Sequence, residues 1–70
     1  MKEAAVKLVV NGVEQEVAAD TLAAALDALD YRGTLVATAL NGEFVPARAR
    51  AATKLEDGDR IEIVSPRQGG

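Results

Sequence analysis

Residues 6–17 read VKLVVNGVEQEV. Two β-prone runs flank Asn11-Gly12, the strongest short signature of a two-residue hairpin, because both central positions of that turn need positive φ. If Val10 and Val13 pair across the turn, Leu8 falls opposite Gln15 and Val6 opposite Val17 on one side. The other side then carries Val9, Glu14 and the cross-strand pair Lys7 and Glu16. One face is apolar apart from Gln15 and the other is largely charged. The stretch therefore predicts a half-buried hairpin lying on another element.

The next segment supplies that element. In DTLAAALDALDY, residues 20–31, Leu22, Ala25, Leu26 and Leu29 recur at helical spacing and alanine fills the positions between them. Asp20 or Thr21 can cap the start by accepting from the first free backbone N–H groups. No acid stands three residues after Thr21 to complete a capping box, so the start stays open between the two. Gly33, after Tyr31 and Arg32, suits the helix exit.

Downstream, TLVATALNGEFVP (residues 34–46) places a second Asn-Gly between β-prone runs. Pro46 ends the second arm because it has no amide to donate. ARARAATKLEDGD (residues 47–59) reads as an irregular connection with room for one helical turn, anchored by Leu55 and turning at Asp57-Gly58. In the last strand, RIEIV (residues 60–64), Ile61 and Ile63 point one way and Arg60, Glu62 and Val64 the other. Ser65-Pro66 closes it, since proline cannot continue a ladder.

The order is hairpin, helix, two strands, connection, strand. A last strand inserted parallel to the first gives an α+β domain: a mixed four- to five-stranded sheet with one helix packed across one face. Residues 1–64 form that domain and residues 65–70 a C-terminal Gly-Gly tail. The predicted core is Val6, Leu8, Leu22, Leu26, Leu29, Leu55, Ile61 and Ile63.

Composition narrows the function. Seventy residues make a single domain near the lower limit for a core without staples. The sequence has no cysteine, hence no disulfide or thiolate metal site, and no histidine, the commonest general base and metal ligand. A net charge of −3, from 8 basic and 11 acidic side chains, argues against a nucleic-acid partner held through phosphates. One Tyr and one Phe are too few for base stacking. No apolar run approaches the roughly 20 residues of a membrane span. The N-terminal MKEAAVKLVV mixes charge into its apolar stretch and is not a signal peptide. A cytoplasmic protein without bound metal or cofactor is the expectation.

Catalytic constellations are missing. Glu14 with Glu16, and Asp57 with Asp59, read as solvated strand and turn residues rather than an acid–base pair. No glycine cluster opens a helix to cradle phosphate, and EDGD is too short for a calcium loop. The chain reads as a non-enzyme. Arg48, Arg50, Lys54, Arg60 and Arg67 gather positive charge in the second half, against Glu3, Glu14, Glu16, Asp20 and Asp27 in the first. Arg48, Arg50 and Arg60 are candidates for a docking face; the competing reading is ordinary surface charge.

The tail, SPRQGG, has its own logic. Pro66 stiffens the base, Arg67 and Gln68 are polar, and Gly69-Gly70 have no side chains, so they can thread a channel too narrow for other residues. The α-carboxylate after Gly70 is ionised at neutral pH and a poor electrophile, so its use requires activation by another protein.

These pieces together resemble the ubiquitin-like β-grasp superfamily, and within it the ThiS-type sulfur carriers of thiamine (thiazole) biosynthesis. The matching residues are Val10-Asn11-Gly12 in the hairpin, Thr21, Leu22 and Leu26 in the helix, the V-A-x-x-x-N-G-x-x-V-P middle from Val36 to Pro46, G-D-R-I-E-I-V from Gly58 to Val64, and Gly69-Gly70. No piece is specific alone; all in order, from Val9 to Gly70, are. Two departures bear on partner choice: Ala47 stands between Pro46 and Arg48, and SPRQGG lacks the short apolar stretch common before the glycines.

The resemblance implies a mechanism. An E1-like adenylyltransferase of the ThiF type takes in the tail through Arg67, Gln68 and Gly69, and uses ATP to adenylate the Gly70 carboxylate. Sulfur from a cysteine desulfurase or rhodanese-type donor displaces the adenylate to give a thiocarboxylate, which a ThiG-type thiazole synthase receives. The lack of cysteine fits, because no side chain here can carry sulfur as a persulfide. Two alternatives stay open. The small subunit of molybdopterin synthase shares fold, tail and chemistry, and a ubiquitin-like tagging module would join its glycines to lysines.

Overall fold

The computed structural model describes residues 5–31 and 35–65. Strands β1 (Val6–Val10) and β2 (Val13–Val17) pair antiparallel with Val10 opposite Val13, Leu8 opposite Gln15 and Val6 opposite Val17. The register is the one the Asn-Gly turn dictates. Asn11 and Gly12 take φ of 51° and 84°, the positive values that make a turn's twist match the strands it joins. Strands β3 (Ala37–Leu40) and β4 (Glu43–Val45) form the second hairpin around Asn41-Gly42, at 51° and 88°.

The last strand, β5 (Arg60–Val64), enters the middle. It runs parallel to β1, with Ile61 beside Val10, and antiparallel to β3, with Ile61 opposite Leu40 and Ile63 opposite Thr38. The sheet order is β2-β1-β5-β3-β4, five strands and mixed, as expected. Pairing with β1 continues upstream of β5: the Gly58 N–H donates to the Lys7 carbonyl (2.8 Å) and the Lys7 N–H to Asp57 Oδ1 (3.0 Å).

One helix, α1 (Leu22–Ala28), covers the inner face. Thr21 is its cap, accepting the Ala24 N–H at Oγ1 (3.1 Å), which settles the start. The exit differs from expectation. Past the C-cap Leu29 the chain turns at Asp30, φ 72°, where the Asp30 N–H donates to the Asp27 carbonyl (3.1 Å) and the Tyr31 N–H to that of Leu26 (2.8 Å). That bond pair is a Schellman closure with aspartate in the place glycine usually takes. Gly33 lies outside the described residues.

After Pro46, which ends β4 as expected, Ala47–Ala52 wind into a short 3₁₀ helix packed against α1. Backbone bonds from the Leu22 N–H to the Thr53 carbonyl (2.9 Å) and from Leu55 N–H to that of Asp20 (3.0 Å) tie the connection to the helix start. They set Leu55 into the core.

The core holds Leu8, Val10, Val17, Ala19, Leu22, Ala25, Leu26, Val36, Val45, Leu55, Ile61 and Ile63. Val6 and Leu29, expected inside, are only partly buried against it. Val13 shares the inner face by parity yet is 59% exposed. It stands at the tip of an edge strand, beyond the reach of a seven-residue helix about 10 Å long. Among the described residues, no helix is long and apolar enough to cross a membrane.

Candidate functional site

The strand that leads to the C-terminal residues is β5, and the two hairpin turns hold it, one at each end. Beside Val10 the ladder between β1 and β5 is backbone, but at Asn11 the first hairpin turns away. Ile63, two residues further along β5, would be left with an unpaired N–H and carbonyl on that side. Asn11 replaces the missing strand with its side chain. Its backbone N–H donates to the Ile61 carbonyl (2.9 Å), its Oδ1 accepts from the Ile63 N–H (2.8 Å) and its Nδ2 donates to the Ile63 carbonyl (3.2 Å).

Asn41 does the same at the other end of the strand. Its N–H donates to the Arg60 carbonyl (2.8 Å), its Oδ1 accepts from the Arg60 N–H (2.9 Å) and its Nδ2 donates to Asp59 Oδ1 (3.0 Å). Asp59 Oδ2 in turn accepts from the Glu56 N–H (2.8 Å), closing the turn before β5. Sequence reasoning assigned the two asparagines to turn geometry alone. The available signal was that glycine would have served the turn as well, so an amide at both positions asks for another purpose.

The outer face of the sheet, away from α1, divides in two. On β1 and β2 it carries Lys7, Glu14 and Glu16. On the other half, register puts Phe44, Ala39 and Glu62 in one row and Ala37 beside Val64 in the next. Phe44 is 70% exposed and Val64 59%, and Leu35, just before β3, is 80% exposed. Large apolar side chains left this open on one half of a sheet face mark a contact surface. This surface borders the point where the chain leaves the sheet.

The three candidate docking arginines do not share a face. Arg60 is exposed on the outer face, beside Val9 in the register. Arg48 is exposed on the 3₁₀ helix, in the layer of α1. Arg50 is turned inward: its Nε donates to Thr38 Oγ1 (3.0 Å) and its Nη2 to the Val36 carbonyl (2.7 Å). Thr38 is 2% exposed and its own hydroxyl donates to the Val45 carbonyl (2.8 Å). The guanidinium of Arg50 therefore fastens the 3₁₀ helix to the second hairpin. Arg67, Gln68, Gly69 and Gly70 lie outside the described residues.

An open concavity beside the first hairpin is lined by Lys7, Glu14, Glu16, Asp57 and their neighbours. Three carboxylates against one ammonium repel nucleotide phosphates. Among the described residues, no group of three or more acidic, histidine or cysteine side chains could hold a metal ion.

Comparison with known proteins agrees with this architecture. Residues 8–70 match the ThiS family. Among solved structures, the thiamine biosynthesis protein ThiS from Geobacter metallireducens is similar at 33% identity and a TM-score of 0.77, over 93% of this chain and 100% of that one. No curated protein matches the chain significantly. With a family match over nearly its whole length and a β-grasp sheet whose central strand leads into Gly-Gly, the chain belongs to the ThiS family.

Proposed function

We propose that this protein is a sulfur carrier of thiamine biosynthesis, and that the Gly70 carboxylate carries the sulfur. The observation that carries the reading is the position of β5. The strand that continues into PRQGG is the central one, bonded on both sides, so a stable domain presents the tail from its middle. An E1-like adenylating partner converts the Gly70 carboxylate and ATP to an acyl-adenylate and pyrophosphate. Sulfur from the donor protein then displaces AMP, leaving a thiocarboxylate for thiazole synthase. The chain itself is a substrate of these enzymes rather than a catalyst.

Two features support this division of labour. The concavity beside the first hairpin is too acidic to hold ATP, so the partner supplies the nucleotide site. The five residues after Ser65 reach at most about 17 Å when extended, so the enzyme acting on Gly70 must come up against this end of the sheet. The Phe44, Ala37 and Val64 face is the surface it would cover, with Arg60 and Glu62 as the charges it meets there.

The test is intact-protein mass after incubation with the adenylating enzyme, ATP and a sulfur source, which reports exchange of one oxygen for sulfur. Deleting Gly70, or adding one residue after it, should abolish the exchange and leave the unfolding midpoint unchanged. Sulfur gained by either variant would remove Gly70 from the role. A parent thiocarboxylate that thiazole synthase does not consume, but molybdopterin synthase does, would move the protein to the other pathway.

A further inference from the structure

Asn11 is followed by glycine, and an asparagine so placed is open to attack by its neighbour's backbone nitrogen. A Cβ built on Gly12 would meet nothing within 4 Å, so the turn is also uncrowded on that side. The structure nevertheless restrains the reacting amide: Asn11 faces β5, with Oδ1 and Nδ2 both engaged by Ile63 (2.8 and 3.2 Å). We propose that Asn11-Gly12 is a site of spontaneous deamidation, latched by Ile63 in the folded protein, and that its conversion loosens the strand carrying the tail.

The chemistry needs only water. The Gly12 nitrogen attacks Asn11 Cγ and forms a ring; the Cγ–Nδ2 bond breaks, and ammonia leaves with the proton from the Gly12 amide. Water then opens the cyclic imide at one carbonyl to give aspartate, or at the other to give isoaspartate. Nothing is oxidised or reduced. Aspartate at position 11 still accepts from the Ile63 N–H, but it sets a carboxylate oxygen against the Ile63 carbonyl where an N–H donor stood. Isoaspartate routes the backbone through the side-chain carbon. The two-residue loop that fixes Val10 opposite Val13 is thereby lengthened. Either product weakens pairing at Ile63, one residue before the strand ends at Val64.

Asn41-Gly42 is the internal standard. Both asparagines are exposed and both amide atoms of Asn41 are engaged too, by the Arg60 N–H (2.9 Å) and Asp59 Oδ1 (3.0 Å), but those bonds are exposed to water whereas the Asn11 bonds to Ile63 are part-buried. Each side-chain hydrogen bond at Ile63 is worth roughly a factor of five to six in an opening equilibrium, so the two together protect about thirtyfold.

The experiment incubates the full chain in mildly alkaline buffer, folded or in concentrated urea. Conversion at each site is followed by peptide mass and by isoaspartyl methyltransferase labelling. Folded Asn11 is expected to convert about thirtyfold more slowly than unfolded Asn11, and after Asn41. In a parallel arm, Asn11→Asp is expected to unfold at lower urea than the parent. Equal Asn11 rates in the folded and unfolded chain, conversion ahead of Asn41, or an Asn11→Asp midpoint equal to the parent's would each overturn the latch.

Discussion

Replacing Asp30 with glycine should stabilise the domain. Asp30 sits at φ 72° because the Schellman closure of α1 requires a left-handed residue there. An ordinary L-residue in that region carries about 1–2 kcal/mol of crowding between its Cβ and the next carbonyl, relieved in part for aspartate by its short polar side chain. Glycine escapes the crowding but gives up roughly 0.5–1 kcal/mol more backbone entropy on folding. The carboxylate adds a second unfavourable contribution. It stands at the negative end of the helix dipole, where α1 has no basic residue in its last turn, and an anion there is worth about 0.3–1 kcal/mol in the wrong direction. Crowding and charge together exceed the entropy of glycine, and the expected net gain is about 1 kcal/mol, or roughly 4–8 °C in Tm for a domain this small. Urea and thermal unfolding followed by circular dichroism measure it. Asp30→Asn separates the contributions, since it keeps the left-handed tolerance and removes only the charge. Its gain should be smaller than glycine's and should shrink with added salt. A lower midpoint for Asp30→Gly would refute the reading of residue 30 as a strained cap.

Other residues give sharper contrasts between fold and function. Arg50→Ala removes two hydrogen bonds from a charged donor and leaves the Val36 carbonyl short of a partner, so it should lower stability by about 1.5–3 kcal/mol in urea unfolding. Unchanged stability would return Arg50 to the surface. Phe44→Glu touches no core contact and should shift stability by no more than about 0.5 kcal/mol, yet it should slow thiocarboxylate formation; equal rates for variant and parent would free the outer face of a docking role. Arg60→Glu, on the same face, should slow association with the adenylating enzyme at low salt and converge with the parent at high salt; identical low-salt rates count against steering through Arg60.

Both hairpins were legible because a two-residue turn and the pleat leave one register: once Val10 faces Val13, every other partner follows. The alternation of RIEIV likewise gave β5 its inner Ile61 and Ile63. What could not be read depends on contacts between distant segments. Asp30 displaced Gly33 as the helix exit because Tyr31 docks on the core and draws the chain out early, which no local glycine signal reports. Val13 and Val17 have the same parity, but only Val17 lies where the short helix covers the sheet. Arg50 looked like surface charge; only its meeting with the buried Thr38 and the Val36 carbonyl at the edge of the core gives its guanidinium a fixed place.

The placement of β5 bears on how this fold would serve the proposed carrier role. The sheet's edges are β2 and β4, and β2 turns Glu14 and Glu16 outward, charges that discourage another strand from adding there. A tail attached to either edge could be peeled away with its strand. Under the proposed function, a tail attached to β5 would pull on a strand bonded to β1 and β3 at once, so a partner could draw on Gly70 while the core stays closed. The weak point is the end of the parallel pairing with β1, where β1 has already turned. Asn11 stands there. A Gly-Gly turn would close the first hairpin equally well, and it would leave the Ile63 N–H and carbonyl unpaired at the root of the tail.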